Sequence, residues 1–327
     1  MNKHYDIIIV GGGPAGLTAA IYARRAGKSV LVLEKAAVGG QIASSPRVDN
    51  FPGLPGVTGA ELADRLFEQA TALGAHLELE EALELRPGDP KTVVTDYQTY
   101  TCGALIYAAG AAHRTLGLPR EETLPGVSYC AVCDGAFYQG KDTAVCGGGN
   151  TALQDALYLS ELCRHVTVIH RRSVFRADPI LVEALQQRAN VSFLLDTVIE
   201  ELLGEVSLEA LRLRAFDGTA FELPVAGLFQ AVGQLPQTAL AASLLPLDES
   251  GYVTAGEDCA TPLPGLFVAG DCRTKAVRQL TTACADGSAA ALAAIRYLTS
   301  VSYTHLPGPL HWSCCSVSAR SPLVPLK

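Results

Sequence analysis

Residues 5–16, YDIIIVGGGPAG, place six residues of strand character directly before a glycine-rich turn, and residues 17–27, LTAAIYARRAG, continue in a helical pattern. Gly11, Gly13 and Gly16 thereby spell GxGxxG between a strand and a helix, the setting in which that spacing has a physical meaning. Glycines tighten the turn and let a pyrophosphate approach the helix N-terminus, where unpaired N–H groups and the helix dipole favour an anion. Pro14 and Ala15 fill the rest of the turn. A second strand, SVLVLE, ends at Glu34, an acid placed where a ribose hydroxyl needs an acceptor.

The pattern recurs. Residues 142–159, DTAVCGGGNTALQDALYL, are again strand, glycine turn and helix, with Gly147, Gly149 and Ala152 as GxGxxA and Asn150 and Thr151 inside the turn. From Gly11 to Glu34 is 23 positions, and from Gly147 to His170 is also 23, so the two units share one register. Where the first unit has an acid, the second has HRRSVFR. A carboxylate accepts hydrogen bonds from a free 2'-hydroxyl but repels a 2'-phosphate; Arg171, Arg172 and Arg176 suit the dianion. The first site is therefore expected to take an adenosine with a free ribose and the second NADPH. A third segment, GLFVAGDC at 265–272, reads as a strand ending at Gly270 and Asp271, and a small-residue helix follows. Strands arriving from both chain ends around a second nucleotide unit predict an α/β protein with two Rossmann-like domains, one inserted into the other.

Composition agrees. The chain has 327 residues, about half of them apolar, enough for two domains of ordinary size. A net charge of -8 offers no basic footprint for nucleic acid or an anionic membrane. The glycine triplet and proline interrupt what a signal peptide would need as a continuous apolar core, and no apolar run is long enough to span a bilayer. A cytoplasmic protein is expected, with most of its ten cysteines reduced. Cys102, Cys146, Cys163, Cys259, Cys272 and Cys284 stand singly in apolar stretches and read as small buried hydrophobes.

Taken together, GGGPAG, Gly39-Gly40-Gln41, NFPG from Asn50, CAVCDG at 130–135, GGGNTA, HRRSVFR, GQLP from Gly233, Gly270-Asp271 and Arg278-Gln279 resemble the low-molecular-weight thioredoxin reductases of bacteria over roughly residues 3–300. The resemblance implies an FAD domain split between 1–112 and 234–300, and an inserted NADPH domain at 113–233 that carries a redox-active disulfide. It places the FAD pyrophosphate on the turn from Gly11 to Gly16, the adenosine ribose on Glu34, and Gly40, Gln41, Asn50 and Gly110 along the flavin. Asp271 beside Gly270 would meet the ribityl and phosphate region, and Arg278 and Gln279 the isoalloxazine. Gly147, Gly149, Asn150, Thr151 and Ala152 would hold the NADPH pyrophosphate, and His170 with the three arginines its adenosine end. The implied activity is NADPH:thioredoxin oxidoreduction by a homodimer whose inserted domain turns about hinges near 111–112 and 233–234.

CAVCDG admits three readings. A metal clip would need two further ligands, and no second Cys or His pair at short spacing stands in the globular part. A structural disulfide across so short a loop removes little unfolded-state entropy. A redox couple remains, and the resemblance implies that Cys133 faces the flavin while Cys130 attacks the partner's disulfide. Asp134 would raise the thiol pKa of its neighbour, a cost that makes sense if it relays a proton to a departing thiolate. Two readings compete with a thioredoxin partner: a glutaredoxin-like or peroxide-reducing partner, and a flavin redox sensor without turnover.

The chain also departs from the family. Residues 108–110 read AAG in place of ATG, and Gln154-Asp155 stand in place of an acidic pair. Residues 301–327 hold four prolines, no acids and the single tryptophan, and read as a disordered or spurious extension. Cys314 and Cys315 in it offer the alternative of an added redox centre.

Overall fold

The computed structural model describes residues 3–45 and 47–304. The chain opens with β1 (Lys3–Val10), α1 (Pro14–Arg25) and β2 (Val30–Leu33), the strand-turn-helix-strand unit expected from its first residues. Ile7, Ile8 and Ile9 are fully buried because this strand is covered on both faces, which is why it reads as an apolar run and not as an alternation. After α2 (Gly59–Ala72), which starts with a Thr58/Glu61 capping box, come β3 (His76–Glu78), β4 (Ala82–Arg86), β5 (Lys91–Thr95) and β6 (Thr99–Tyr107).

β7 (Ala111–His113) leads into a second unit: β8 (Val127–Ser128), the single-turn α3 (Ala131–Asp134), β9 (Asp142–Cys146), α4 (Asn150–Ser160), β10 (His165–Ile169), α5 (Pro179–Gln186) and β11 (Val191–Leu194). Then follow β12 (Thr197–Leu203), β13 (Ala210–Ala215), β14 (Ala220–Pro224) and β15 (Gly227–Gln230). The chain returns through β16 (Gln234–Pro236) to β17 (Leu266–Val268) and ends its described part in α6 (Leu280–Thr304).

The strands sort into the sheets that the repeated motif predicts. β3-β2-β1-β6-β5-β4 form one sheet, and β17, from the far end of the chain, pairs in parallel with β6. β11-β10-β9-β15-β8 form a second, all-parallel sheet. β12-β13-β14 make a small antiparallel sheet, two-faced in burial, that packs on one side of the second sheet. The two crossings between the large sheets run together: Gln234 pairs with His113, Leu235 with Ala112 and Pro236 with Ala111. No helix among the described residues is long and apolar enough to cross a membrane.

Two details differ from the sequence reading. α6 continues past Ser300 to Thr304, so the first residues of the segment set aside as a tail are helical; the rest of it, with Cys314 and Cys315, lies outside the described residues. Cys102, Cys163, Cys259 and Cys272 are buried as expected, while Cys146 and Cys284 are only partly so.

α6 packs on α1 at nearly backbone distance. A Cβ on Gly287 would stand 2.1 Å from the Ala15 carbonyl oxygen. The helix crossing thus fixes α1 just behind its glycine turn. Gly287→Ala is expected to lower stability by about 1–3 kcal/mol, as overpacking does, and to lower the thermal midpoint. Ser288→Ala, whose hydroxyl bonds only the exposed Ala285 carbonyl, is expected to stay within about 0.5 kcal/mol of the parent. Equal midpoints for the two variants would show that the crossing tolerates a side chain.

Candidate functional site

The first glycine turn can be built only from glycine at its two ends. Gly11 has φ +112°, and a Cβ there would stand 2.3 Å from the Ala108 carbonyl oxygen. A Cβ on Gly16 would stand 1.9 Å from the Gly11 carbonyl oxygen. Gly13 caps α1, Pro14 occupies the first helical turn, where no N–H is needed, and Ala15 is buried. The space in front of the helix is open: the nearest atom to a Cβ on Gly13 is the Gly39 carbonyl oxygen, 3.9 Å away. Glu34 closes the turn from the next strand, accepting from Gly12 N–H at 2.7 Å and from Ala36 N–H at 2.9 Å.

The second turn repeats this geometry. A Cβ on Gly147 would meet Ala152 Cβ and the Ala231 carbonyl oxygen, each at 2.6 Å, while nothing lies within 4 Å of one on Gly149. His170 takes the place of Glu34, its ring pressed against Gly148, where a Cβ would come within 2.1 Å of Cε1. The shared 23-residue spacing therefore corresponds to a shared contact with the middle glycine. The His170 ring stacks on Phe175 at 5.3 Å, and its Nε2 is buried without a partner. Burial first, then the neighbouring arginines, holds its pKa below the usual histidine value. Arg171, Arg172 and Arg176 are exposed and line one cavity; Arg176 N–H donates to the Gly148 carbonyl at 2.8 Å. Thr151 is exposed at the start of α4. The Asn150 carboxamide is engaged elsewhere, exchanging two hydrogen bonds with Asp178, at 2.9 and 2.8 Å.

Around Gly270 the structure adds residues that the sequence reading passed over. Gly270 has φ +78°, and its N–H donates to the buried Asp286 at 3.0 Å. Asp286 also pairs with Arg273 at 2.6 Å and with Lys275 at 3.1 Å, and Lys275 reaches Asp271 at 3.4 Å. Burial raises the Asp271 pKa, and Lys275 opposes the rise. The Arg278 guanidinium lies over the Tyr252 ring at 3.8 Å, with its Nε buried and unpaired. Charges at 273, 275 and 286 inside an otherwise small-residue stretch were the available signal.

Cys130 and Cys133 are joined by a disulfide. Cys130 caps α3, and Val132 between the two sulfurs is 51% exposed. The pair sits against the N-terminal end of α6: the Gln279 carboxamide lies 3.8 Å from each sulfur, its Nε2 toward Cys130 and its Oε1 toward Cys133. Asn50 Nδ2 donates to the same Gln279 oxygen at 3.4 Å. The structure thus brings together Asn50, Gln279 and the disulfide from three distant parts of the chain, while Gln41 and Gly40 start a short helical turn nearby in sequence and Gly110 holds φ +70° beside the first crossing. The arginine cavity shares no residue with this cluster. Asp134 accepts from Ser128 Oγ at 2.7 Å; burial raises its pKa and the Ser128 hydrogen bond partly offsets the rise. Ser128 also accepts from the Cys130 N–H at 3.1 Å, so it ties the acid to the cysteine loop.

Both expected cofactors fit these cradles. The unpaired Arg278 Nε and the side-chain-free approach to α1 suit a flavin dinucleotide, and the unpaired His170 Nε2 and bare Gly149 suit a second dinucleotide.

Comparison with known proteins agrees. The sequence profile of the pyridine nucleotide-disulphide oxidoreductase family matches residues 5–287. A thioredoxin reductase of Listeria innocua is 40% identical over 302 residues, 91% of this chain and 95% of that protein. The crystal structure of a Streptococcus pyogenes thioredoxin reductase superposes with a TM-score of 0.88 at 37% identity, covering 92% of this chain and all of that one. A Lactococcus lactis thioredoxin reductase in its FR conformation gives 0.63 at 34% identity, over 90% of this chain and 99% of the other. The chain belongs to the pyridine nucleotide-disulphide oxidoreductase family and, as an enzyme of it, uses a flavin and a pyridine nucleotide.

Of the family departures, Gln154 is exposed, whereas Asp155 is half-buried and its pKa is pushed up to about 7 by burial. Between the ordinary value of 3.8 and about 7 the unfolded chain is ionised while the folded one stays protonated, so stability falls as pH rises through that window. Asp155→Asn lacks this loss. It is expected to be more stable than the parent at pH 8, by about 1–3 kcal/mol, with the gap closing toward pH 4. Denaturation midpoints that keep a constant gap from pH 4 to 8 would contradict the shift.

Proposed function

We propose that the chain is an NADPH:thioredoxin oxidoreductase, in which electrons pass from NADPH through FAD to the Cys130–Cys133 disulfide and on to the disulfide of thioredoxin. The observation that carries this reading is the Gln279 carboxamide set against both sulfurs of a disulfide, at the N-terminal end of α6. FAD would be held by residues 1–112 and 234–300: the turn from Gly11 to Gly16, Glu34, Gly40, Gln41, Asn50, Gly110, Gly270, Asp271, Arg278 and Gln279. NADPH would be held by 113–233, on Gly147, Gly149, Thr151 and Ala152, with the backbone of Asn150 and the His170–Arg176 turn. When bound, the flavin supplies a two-electron relay between nicotinamide and disulfide.

The chain's own residues then have distinct tasks. Arg171, Arg172 and Arg176 select the phosphorylated donor by charge-assisted bonds. Asp134, next to Cys133 in the chain and with its pKa raised by burial, is the group we assign to pass a proton to the thiolate that departs when the disulfide opens. Cys130 then attacks the partner's disulfide, a mixed disulfide forms, and Cys133 resolves it, releasing dithiol thioredoxin and restoring the Cys130–Cys133 bond. The exposed Val132 offers an apolar contact beside the attacking sulfur.

Cys130 is only partly exposed while the disulfide packs on Gln279, and a partner protein needs fuller access to its sulfur. Two arrangements are therefore needed, and the paired strands β7 and β16 are the hinge we assign between them. The fall in TM-score from 0.88 to 0.63 between two relatives of nearly equal identity supports a rigid rearrangement within this fold. We assign the enzyme to the cytoplasm, as a homodimer, on the resemblance carried by its sequence motifs.

The test is NADPH oxidation with and without thioredoxin. Turnover is expected only with thioredoxin present. Cys130→Ser and Cys133→Ser are each expected to bind FAD and to bleach with NADPH while losing thioredoxin reduction by at least a hundredfold, roughly 3 kcal/mol of barrier or more. Asp134→Asn is expected to slow disulfide opening more than flavin bleaching. Full activity in either serine variant would overturn the assignment.

A further inference from the structure

The cavity that gathers the three arginines has one wall made by an element far from them in sequence. Phe216, at the turn joining β13 to β14, lines it together with Val174 and Asp196. Its ring is 66% exposed, so it gains little from the protein's own core. It is nonetheless held firmly. The turn is closed by Ala215 N–H to Thr219 at 2.9 Å, Gly218 N–H to Ala215 at 3.0 Å, and Thr219 N–H to the Asp217 carboxylate at 2.8 Å. Gly218 has φ +91°, the left-handed conformation such a turn requires.

The turn is also tied to the arginines. Phe216 N–H donates to the Asp196 carbonyl at 2.8 Å, and Asp196 N–H donates to the Arg172 carbonyl at 3.4 Å. The other aromatic of the cavity, Phe175, is already committed, stacked on His170 and set edge-on to Phe193. Phe216 is therefore the aromatic face that the cavity offers to a ligand.

A 2'-phosphate and an adenine hang from the same ribose, so the groups that hold one lie within a side chain's length of those that hold the other. We infer that Phe216 is the stacking platform for the adenine of the dinucleotide whose 2'-phosphate the arginines take. This rests on the reading of that cavity as the NADPH site. Asp196 carries a negative charge into the cavity wall, which three guanidinium groups outnumber. The division of labour has a specific consequence: the arginines discriminate NADPH from NADH, whereas Phe216 serves both.

The probe is adenosine 2',5'-bisphosphate, titrated into the flavin-loaded protein by calorimetry, because it carries the adenine and the 2'-phosphate without the nicotinamide. Phe216→Ala is expected to weaken its binding about fivefold to a hundredfold, the usual cost of removing a stacked aromatic, with Phe216→Trp restoring it. The Michaelis constants for NADPH and NADH should rise by the same factor in Phe216→Ala. In Arg171→Ala the NADPH constant should rise far more than the NADH constant. Unchanged binding of the bisphosphate by a folded Phe216→Ala protein would overturn the inference while leaving the donor site intact. So would a loss confined to NADPH, since that would place Phe216 on the phosphate and not on the base. Failure of the unaltered protein to bind the bisphosphate at all would contradict the NADPH reading itself, and this inference with it.

Discussion

Two dinucleotide cradles and everything between them depend on one steric constraint, the passage of backbone against backbone where a strand turns into a helix. At Gly11, Gly16 and Gly147 a methyl group would sit within 2.6 Å of a neighbouring atom. Any other residue at these three positions would force the turn away from its neighbours, while Gly13 and Gly149 leave the space in front of the helices open. Keeping that space bare is what allows a pyrophosphate to meet unpaired N–H groups directly. Gly287 extends the constraint to α6, because that helix can lie against the α1 backbone at Ala15 only if it carries no side chain at the crossing.

The insertion follows from topology. β6 pairs with β1 from the start of the chain and with β17 from its end, so the first sheet is complete only after the chain has left it and come back. Both departures pass through the β7–β16 ribbon. The disulfide therefore lies in the segment between the two crossings, while Gln279, on which it rests, and Asn50, which bonds Gln279, lie outside that segment. Contacts across such a seam are more polar than those inside a core, the kind that can be exchanged without disturbing either core. The weak 3.8 Å approach of Gln279 to each sulfur fits a contact meant to be broken.

What could be read in the sequence was what spacing encodes. The strand-turn-helix units, the equal register of Glu34 and His170, and the arginine cluster are local patterns, and the structure shows both middle-glycine contacts and one cavity for all three arginines. What could not be read depends on long-range pairing. Ser128 gives no hint in sequence that it will hold Asp134, nor does Asp178 that it will claim the Asn150 side chain. The Lys275–Asp286–Arg273 cluster is visible as charge in a small-residue stretch, but only burial shows that it braces the Gly270 turn. The end of α6 is not legible in the sequence because a helix can run on into residues whose composition no longer advertises it. Phe216 escaped notice for the opposite reason, as a single aromatic in a polar turn whose neighbours come from two other loops.

The central claim is that electrons from the pyridine nucleotide pass through the Cys130–Cys133 disulfide, and a thiol count without thioredoxin tests it most directly. The flavin-loaded protein would be treated with NADPH without oxygen, quenched in acid, unfolded and titrated with a thiol reagent. The account predicts two more thiols per chain than in the untreated protein, both at Cys130 and Cys133 by peptide mapping. A flavin that bleaches while the thiol count stays unchanged would contradict it.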